Sequence, residues 1–448
     1  MVARLKNFLM VIFVAAQLGS GVYAIDEIKP EQQPLVAKIS FEEVLSKAKE
    51  HSHDLKIANF DTLIAKTGIM NARSDYFPKM YFNVGTEYTK NFKDYKQSVV
   101  TSVGDAFINP YTRYQSVLGI TIQYNLFDFG VRRGRYDLAK EEVTNSELKE
   151  IKAMQELHLN IVDNYSKILM TKKQIELYKK INKYDTENLE LTERLFKAKQ
   201  IAKTDLNDRK VKVSQSQNHI HELTQILEET LMWLGFYTGE EYDTENISVK
   251  DFPVPDVDLT ASGDYTKSVL WKYWESEIKK KQLELKITKR TNLPKVQAYG
   301  RWYMYGSDYS SYPDAWKDFS PSNLSVGASA SMPIFDGLQN YSDIKKATLE
   351  LQQTIVKRDK DIAEWMTRLS TLKSNYFWLG NQIAQNEEID KELKDKNVSK
   401  KRLLDKKLIS VIEANDAKIE LLESDIESVK NTTTQIGILN GIKALTEY

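Results

Sequence analysis

The sequence predicts a mainly helical, internally duplicated chain with a β-barrel part. A turn after a long polar helical segment at Lys199–Asp208 recurs at Lys407–Asp416, 208 positions later (407 − 199 = 208). The junction Leu126–Gly130, which precedes the first long segment, is matched by Ile334–Gly337 with the same offset. Four shorter segments alternate apolar and polar residues, which is typical of half-buried strands. A repeat of this size, with helices approaching ~100 Å, indicates an elongated protein rather than a compact enzyme domain.

The first element along the chain is a secretory signal peptide over residues 1–24. Arg4 and Lys6 provide its positive start, Phe8–Ala16 its apolar core, and Val22–Ala24 a small-residue cleavage site. The full chain has 63 basic and 63 acidic residues, so loss of those two cations leaves 61 − 63 = −2. Because phosphate binding requires a basic surface, this charge argues against nucleic acid as a partner.

The composition limits which interactions can stabilise the exported protein and which kind of segment could cross a membrane. The chain contains no cysteine, so disulfides are excluded and packing or assembly must stabilise it. No segment after the signal peptide reaches 18 consecutive apolar residues, the length typical of a membrane-spanning helix. If this protein enters a membrane, we expect it to do so as strands.

The first repeat is predicted over residues 25–234. Neither glycine nor proline occurs between Arg135 and Leu234, and apolar residues there recur three or four positions apart. Such a narrow stripe on a helix rich in Lys and Glu has to be buried against another helix. The predicted elements are a helix at 40–76, strands at 79–90 and 115–127, a long helix at 131–197 and a helix at 203–234.

A connector over residues 235–262, rich in Gly, Pro, Asp and Glu, leads to the second repeat at 263–448. Pro78 and Pro294 each end a helix and open a strand, but their offset is 216 rather than 208. We therefore expect the two halves to differ by insertions in the strand hairpins. The predicted elements are a helix at 264–292, strands at 295–305 and 323–333, a long helix at 338–405 and a helix at 410–440.

The four predicted strands each carry one apolar and one polar face and are long enough to cross a bilayer with tilt. Aromatic residues between the last two strands suit a belt at the membrane surface. A soluble two-sheet core is the alternative. Four strands cannot close a barrel, however, and lipid does not tolerate an open edge. Three copies would supply twelve strands, so the expected fold includes a trimeric 12-stranded transmembrane β-barrel.

The order of these motifs resembles the TolC-type outer-membrane efflux proteins over nearly the whole mature chain. The resemblance rests on an opening helix at Phe41–Ala48, a helix-to-strand step before Pro78, two junctions and two tip turns. Each motif is weak alone, but their order, duplication and spacing are specific. The junction residues are Phe127, Asp128 and Gly130 in the first half and Pro333, Phe335, Asp336 and Gly337 in the second.

The resemblance implies a homotrimer in the outer membrane of a Gram-negative bacterium, surrounded by outer-membrane lipid. Twelve helices would form a coiled-coil barrel across the periplasm. A periplasmic adaptor and an inner-membrane ABC or RND transporter would dock at its far end, for efflux or type I secretion. The alternative that the sequence leaves open is a secreted or surface-attached coiled-coil structural protein or adhesin, which would leave the strands without a role.

The resemblance also places the functional residues at the two tip turns. Glu413 and Asp416 match acids that form rings at the periplasmic entrance of the family, and Asp205 and Asp208 occupy the equivalent first-half turn. The family closes its entrance by linking an acid at the Asp205 position to an arginine and a tyrosine. This chain instead carries two aliphatic residues at the arginine and tyrosine positions. Ile409 stands at the arginine position and Leu404 at the tyrosine position. Lys203, Arg402 or Lys407 are candidate substitutes for the arginine.

The tips depart from the family in a second way. Lys199 and Lys407 stand where the family commonly has glycine, which adopts a positive φ without penalty. Lysine there predicts either a different turn geometry or strain. With Lys203, these residues are the expected adaptor-docking positions, and we expect their charge to influence the choice of partner.

No catalytic, metal or cofactor site is predicted. His51 with His53, and His219 with His221, are two positions apart, whereas helical metal ligands favour a spacing of four. Gly-rich phosphate loops and nucleophile motifs are missing from the sequence. Asp128 and Asp336 are expected to cap the long helices that follow them.

Overall fold

The structure is a computed structural model that describes residues 38–90, 114–244, 247–257, 259 and 264–448. The predicted signal peptide, the loop 91–113 and parts of the connector lie outside these residues. The helices are α1 Phe41–His51, α2 His53–Ser74, α3 Val131–Lys197, α4 Lys203–Thr238, α5 Val269–Arg290, α6 Tyr312–Lys317, α7 Gln339–Asp405 and α8 Val411–Glu447. The strands are β1 Lys38–Ile39, β2 Lys79–Tyr88, β3 Tyr114–Phe127, β4 Ser248–Val249, β5 Lys295–Asp308 and β6 Ser320–Ser331.

The duplication extends to individual residues in the helical frame. α3 and α7 each contain 67 residues and begin and end 208 positions apart. The partner helices α4 and α8 also start with that offset. At 1.5 Å per residue, each 67-residue helix extends about 100 Å. α3 pairs with α4 and α7 with α8, and α3 also packs against α8, which joins the two hairpins.

Both strand-to-helix junctions adopt the same backbone conformation, with two consecutive residues at positive φ. Phe129 and Gly130 have φ values of 52° and 84°, and Gly337 and Leu338, at the same offset, both have 69°. An aspartate before each pair accepts hydrogen bonds from the helix start: Arg132 N donates to Asp128 at 3.1 Å. In the second half Asn340 N donates to Asp336 at 3.0 Å. The expected capping by both aspartates is therefore present.

The four long strands form one antiparallel sheet in the order β2-β3-β5-β6. Residues with even numbers on these strands form one face, because Phe82 pairs with Ile120, and Ile120 pairs in turn with Trp302. This face is apolar and exposed: Met80 is 67% exposed and Val326 82%. On the opposite face Thr121 lies 2.9 Å from the hydroxyl of Tyr303 and accepts from Asn83 at 3.0 Å. The sheet is therefore apolar on one side and polar on the other.

The main core lies where the connector crosses the middle of α3. Phe252 packs edge-on against Phe41 with ring centres 4.7 Å apart, and its ring centre lies 5.2 Å from that of Tyr165. The buried Tyr165 hydroxyl donates to the carbonyl of Lys250 at 2.8 Å, and burial raises the pKa of this phenol. β4 also pairs in parallel with β1. The described part of the connector is therefore fixed to the helical body.

Two details of the structure correct the sequence-based assignment. The single helix expected at 40–76 is two helices, because Ser52 ends α1 and its hydroxyl accepts from Leu55 N at the start of α2. A short helix, α6, is present between β5 and β6 where only a loop was expected. Ser311 caps it by accepting from Asp314 N, and Ala315 is buried against the sheet. None of the helices in the described ranges has the length and apolar character required to cross a membrane.

Candidate functional site at the helical tips

The α3–α4 and α7–α8 turns share one geometry. Lys199 N donates to Phe196 O at 2.9 Å and Gln200 N to Leu195 O at 3.0 Å, which is the Schellman pattern of a helix end. The second turn repeats both bonds, and both central lysines, Lys199 and Lys407, have a φ of 57°. Of the two alternatives predicted for these lysines, the structure shows strain: the turn retains the left-handed conformation that favours glycine.

The helices that leave each turn are capped at equivalent positions, but by hydrogen bonds of opposite direction. Asp205 accepts from Ala202 N at 3.3 Å in the first half, and Ser410 Oγ accepts from Glu413 N at 3.2 Å in the second. Lys400 Nζ lies 3.5 Å from the Glu413 carboxylate. The side chains of Asp205, Asp208 and Glu413 are exposed. The predicted acids therefore lie at the ends of the two hairpins.

Asp416 makes an ion pair that the sequence analysis did not anticipate. Both Arg209 guanidinium nitrogens donate to its two carboxylate oxygens at 2.7 Å, in a bidentate arrangement. Asn188 Nδ2 donates a third hydrogen bond at 3.1 Å. The bonds from Asp416 raise the pKa of Arg209 further above its usual value. Three helices, α3, α4 and α8, are therefore joined at one carboxylate.

The packing seam around this carboxylate is polar. Asn188 is fully buried and accepts from Asn415 Nδ2 at 3.1 Å. Six residues before Asn188 on α3, Asn182 donates to Ser216 Oγ at 2.9 Å. Asp185, which lies between these two asparagines, is buried. Burial raises the pKa of the Asp185 carboxyl, opposed by the Ser216 hydroxyl and the Lys212 cation. Unlike the apolar core near Tyr165, this seam depends on complete pairing of polar groups.

The structure gives the tips a link that differs from the one the resemblance implied. The family link was expected to join Asp205 to the second-half turn, where Ile409 and Leu404 stand. Instead Arg209, one helical turn after Asp205, binds Asp416. One sequence signal could have revealed this ion pair. Toward the tip, the positions that continue the apolar stripe of α3 are polar yet buried: Asp185, Asn188 and Thr192. Lys199, Lys203 and Lys407 remain exposed at the tips.

The junction residues lie at the opposite end of the long helices. Phe127 is half exposed and its ring centre is 4.7 Å from that of Phe129. Phe335 is more exposed still. Pro78 and Pro294 precede β2 and β5, and Pro333 follows β6. Among the described residues, no group of three or more potential metal-ligating side chains is close enough to hold an ion.

Comparison with known proteins agrees with this architecture. Residues 44–240 match the family model described as outer membrane efflux protein. The matched segment makes up less than half of the chain, and it is this segment that is similar to the family. A search of curated protein sequences returns no match.

Solved structures of outer-membrane channels share the fold. CusC superimposes with a TM-score of 0.73 and 13% identity, covering 93% of this chain and 95% of that one. VceC from Vibrio cholerae gives 0.71 and 13%, with 91% and 96% covered. CmeC from Campylobacter jejuni gives 0.72 and 15%, with 91% and 85% covered. At these identities the likeness establishes the fold: paired long helices joined to a four-stranded sheet.

Proposed function

We propose that this chain is an outer-membrane efflux channel protein whose helical body extends into the periplasm, and that three copies of it form one duct. The four-stranded sheet carries the proposal. Its edge strands β2 and β6 each have one partner in the sheet that the structure describes, and its apolar face is exposed. Neither feature suits an isolated chain in lipid. Pairing of β2 from one copy with β6 of the next would remove every edge and close a twelve-stranded barrel.

The helical tips are proposed as the periplasmic entrance, with Asp205, Asp208, Glu413 and Asp416 at the opening. The support is their position at the ends of two ~100 Å hairpins, far from the sheet. The closed entrance would be held by the Arg209–Asp416 pair in place of the family link. Movement of α8 away from α4 would have to break this pair.

A periplasmic adaptor and an inner-membrane transporter of the ABC or RND class are the proposed partners, for efflux or type I secretion. Exposed Lys199, Lys203 and Lys407 at the tips are the proposed contacts with the adaptor. Replacing all three with glutamate is expected to reduce in-cell crosslinking to the adaptor. Lys360→Glu, an exposed lysine about a third of the way along α7 and far from the tip, is the control. Equal crosslinking in both variants would refute tip docking by these lysines.

The test of the duct combines cell fractionation with export. The account predicts heat-sensitive trimers in the outer-membrane fraction and loss of export of at least one substrate class in a deletion strain. Drugs, peptides and metal ions should be tested separately, because the transporter selects the substrate. Recovery of the protein as surface-shed or soluble material, with export intact, would favour a coiled-coil adhesin or structural protein instead.

A further inference from the structure

The two second-half acids at the proposed entrance each have a basic partner within their own chain. Asp416 is bound by both guanidinium nitrogens of Arg209 at 2.7 Å. Glu413 lies 3.5 Å from Lys400 Nζ. A ring of acids concentrates polyvalent cations only if its charge is uncompensated. Here each copy of the chain supplies its own basic partners for these acids, Arg209 and Lys400.

Arg209 is held more firmly than an ordinary surface arginine. Its side chain is 18% exposed, against 38% for Asp416. The buried Leu206, three residues earlier on α4, fixes that face of the helix against its neighbours. A planar guanidinium that binds both oxygens of a carboxylate loses less freedom per bond than lysine would. The cation therefore stays beside Asp416 as long as α4 and α8 remain packed on α3.

The pairing is a difference between the two halves of the repeat. Asp208 is the equivalent of Asp416, since 416 − 208 = 208, and the equivalent of Arg209 is Ala417, since 209 + 208 = 417. Arginine is thus present at only one of the two equivalent positions. The duplicated frame supplies an acid in both halves, and the arginine compensates the second-half acid.

Counted together with these paired residues, each tip carries a net positive charge. Residues 398–416 carry five basic and three acidic side chains, a balance of +2, whereas residues 188–209 carry five and four, a balance of +1. The basic residues are Lys400, Lys401, Arg402, Lys406 and Lys407 in the second tip and Arg194, Lys197, Lys199, Lys203 and Arg209 in the first. A tip with this balance does not present a negative field to a solute that approaches it.

We infer that Arg209 sets the charge selectivity of the entrance: by compensating Asp416 it weakens the accumulation of polyvalent cations there. This inference rests on the proposed duct and on its entrance at the helical tips. It assigns to Arg209 a role in selecting charge as well as in joining helices. Removal of its charge would expose one carboxylate per copy, three in a trimer, around a shared axis.

The test measures block of single-channel current in planar bilayers by hexaamminecobalt(III) added at the tip side. Variants are Arg209→Gln, Arg209→Lys, Asp416→Asn and the double variant Arg209→Gln/Asp416→Asn. Lys210→Gln, an exposed neighbour on α4, is the matched loss of one positive charge. We expect Arg209→Gln to strengthen block by about tenfold or more, because three uncompensated charges act on a trivalent ion across screened water. Arg209→Lys and Lys210→Gln should change block much less.

The double variant decides the cause. If the exposed Asp416 carboxylates produce the block, Arg209→Gln/Asp416→Asn should return to wild-type block. Equal block in Arg209→Gln, Lys210→Gln and wild type would overturn the inference while leaving the duct intact. So would a double variant that is blocked as strongly as Arg209→Gln. Absence of conductance in every variant would refute the duct itself and the inference with it.

Discussion

The Arg209–Asp416 pair should control how readily the helical tip opens, and Asp416→Ala tests this. The substitution removes a bidentate pair and the bond from Asn188, leaving three donor nitrogens without their acceptors. Hydrogen bonds to charged groups each contribute about 1.5–3 kcal/mol. With Asp416 38% exposed, water replaces part of the loss, so we expect a local cost of about 2 kcal/mol. That corresponds to a roughly 30-fold larger equilibrium constant for opening of the tip.

Amide hydrogen exchange measured by mass spectrometry on the purified protein reports this opening. Peptides from the first turns of α4 and α8 should exchange about 30-fold faster in Asp416→Ala, while those near the Tyr165 core should not change. Asp208→Ala is the matched control, because both aspartates occupy the sixth position of their helices and feel the same helix dipole. If both variants exchanged equally, the pair would not be what holds the tip together.

Three further predictions concern strain, capping and buried charge. Replacing Lys199 and Lys407 with glycine should stabilise each turn by about 0.5–1 kcal/mol in thermal unfolding, since release of left-handed strain exceeds the added entropy of the unfolded chain; a lower midpoint would contradict strain. Asp128→Ala should cost about 2 kcal/mol and Asp336→Ala clearly less in the same assay, because Asp128 is buried and also binds Arg132 whereas Asp336 is exposed; equal losses would count against this reasoning. Because burial raises the folded-state pKa of Asp185 above its ordinary 3.8, the penalty of ionising it appears as pH rises past that value. The thermal-unfolding midpoint of Asp185→Asn should therefore exceed that of the wild type by an amount that grows above about pH 4 and then levels off. A difference in midpoint that does not change with pH would refute this reasoning.

The helical frame was predictable because its signals are local and repeated. Neither glycine nor proline occurs between Arg135 and Leu234, and only Gly380 interrupts the segment between Gly337 and Gly437. Together with the matching turns, this indicated α3 and α7 to within a residue at each end. Alternation likewise located the four strands of the sheet. Ser52 was less visible, since its capping hydroxyl interrupts an otherwise helical pattern without a proline or glycine.

The link between Arg209 and Asp416 could not be derived in the same way. Arg209 and Asp416 are 207 residues apart and meet only because α4 and α8 both pack on α3. An arginine and an aspartate near helix starts are common, and neither differs from its neighbours in sequence. The buried polar series on α3 marked a seam of unusual character, but its partners depend on the relative rotation of three helices. α6 was missed because six residues give too short a pattern to distinguish from a loop.

The central claim is that one chain forms a third of a duct, and imaging tests it most directly. Single-particle electron microscopy of the purified protein in lipid nanodiscs should show threefold symmetry and twelve strands, with β2 of each copy beside β6 of the next. The helical hairpins should extend about 100 Å to one side of the lipid. A four-stranded sheet in a single copy, another symmetry, or a sheet lying outside the lipid would contradict the account.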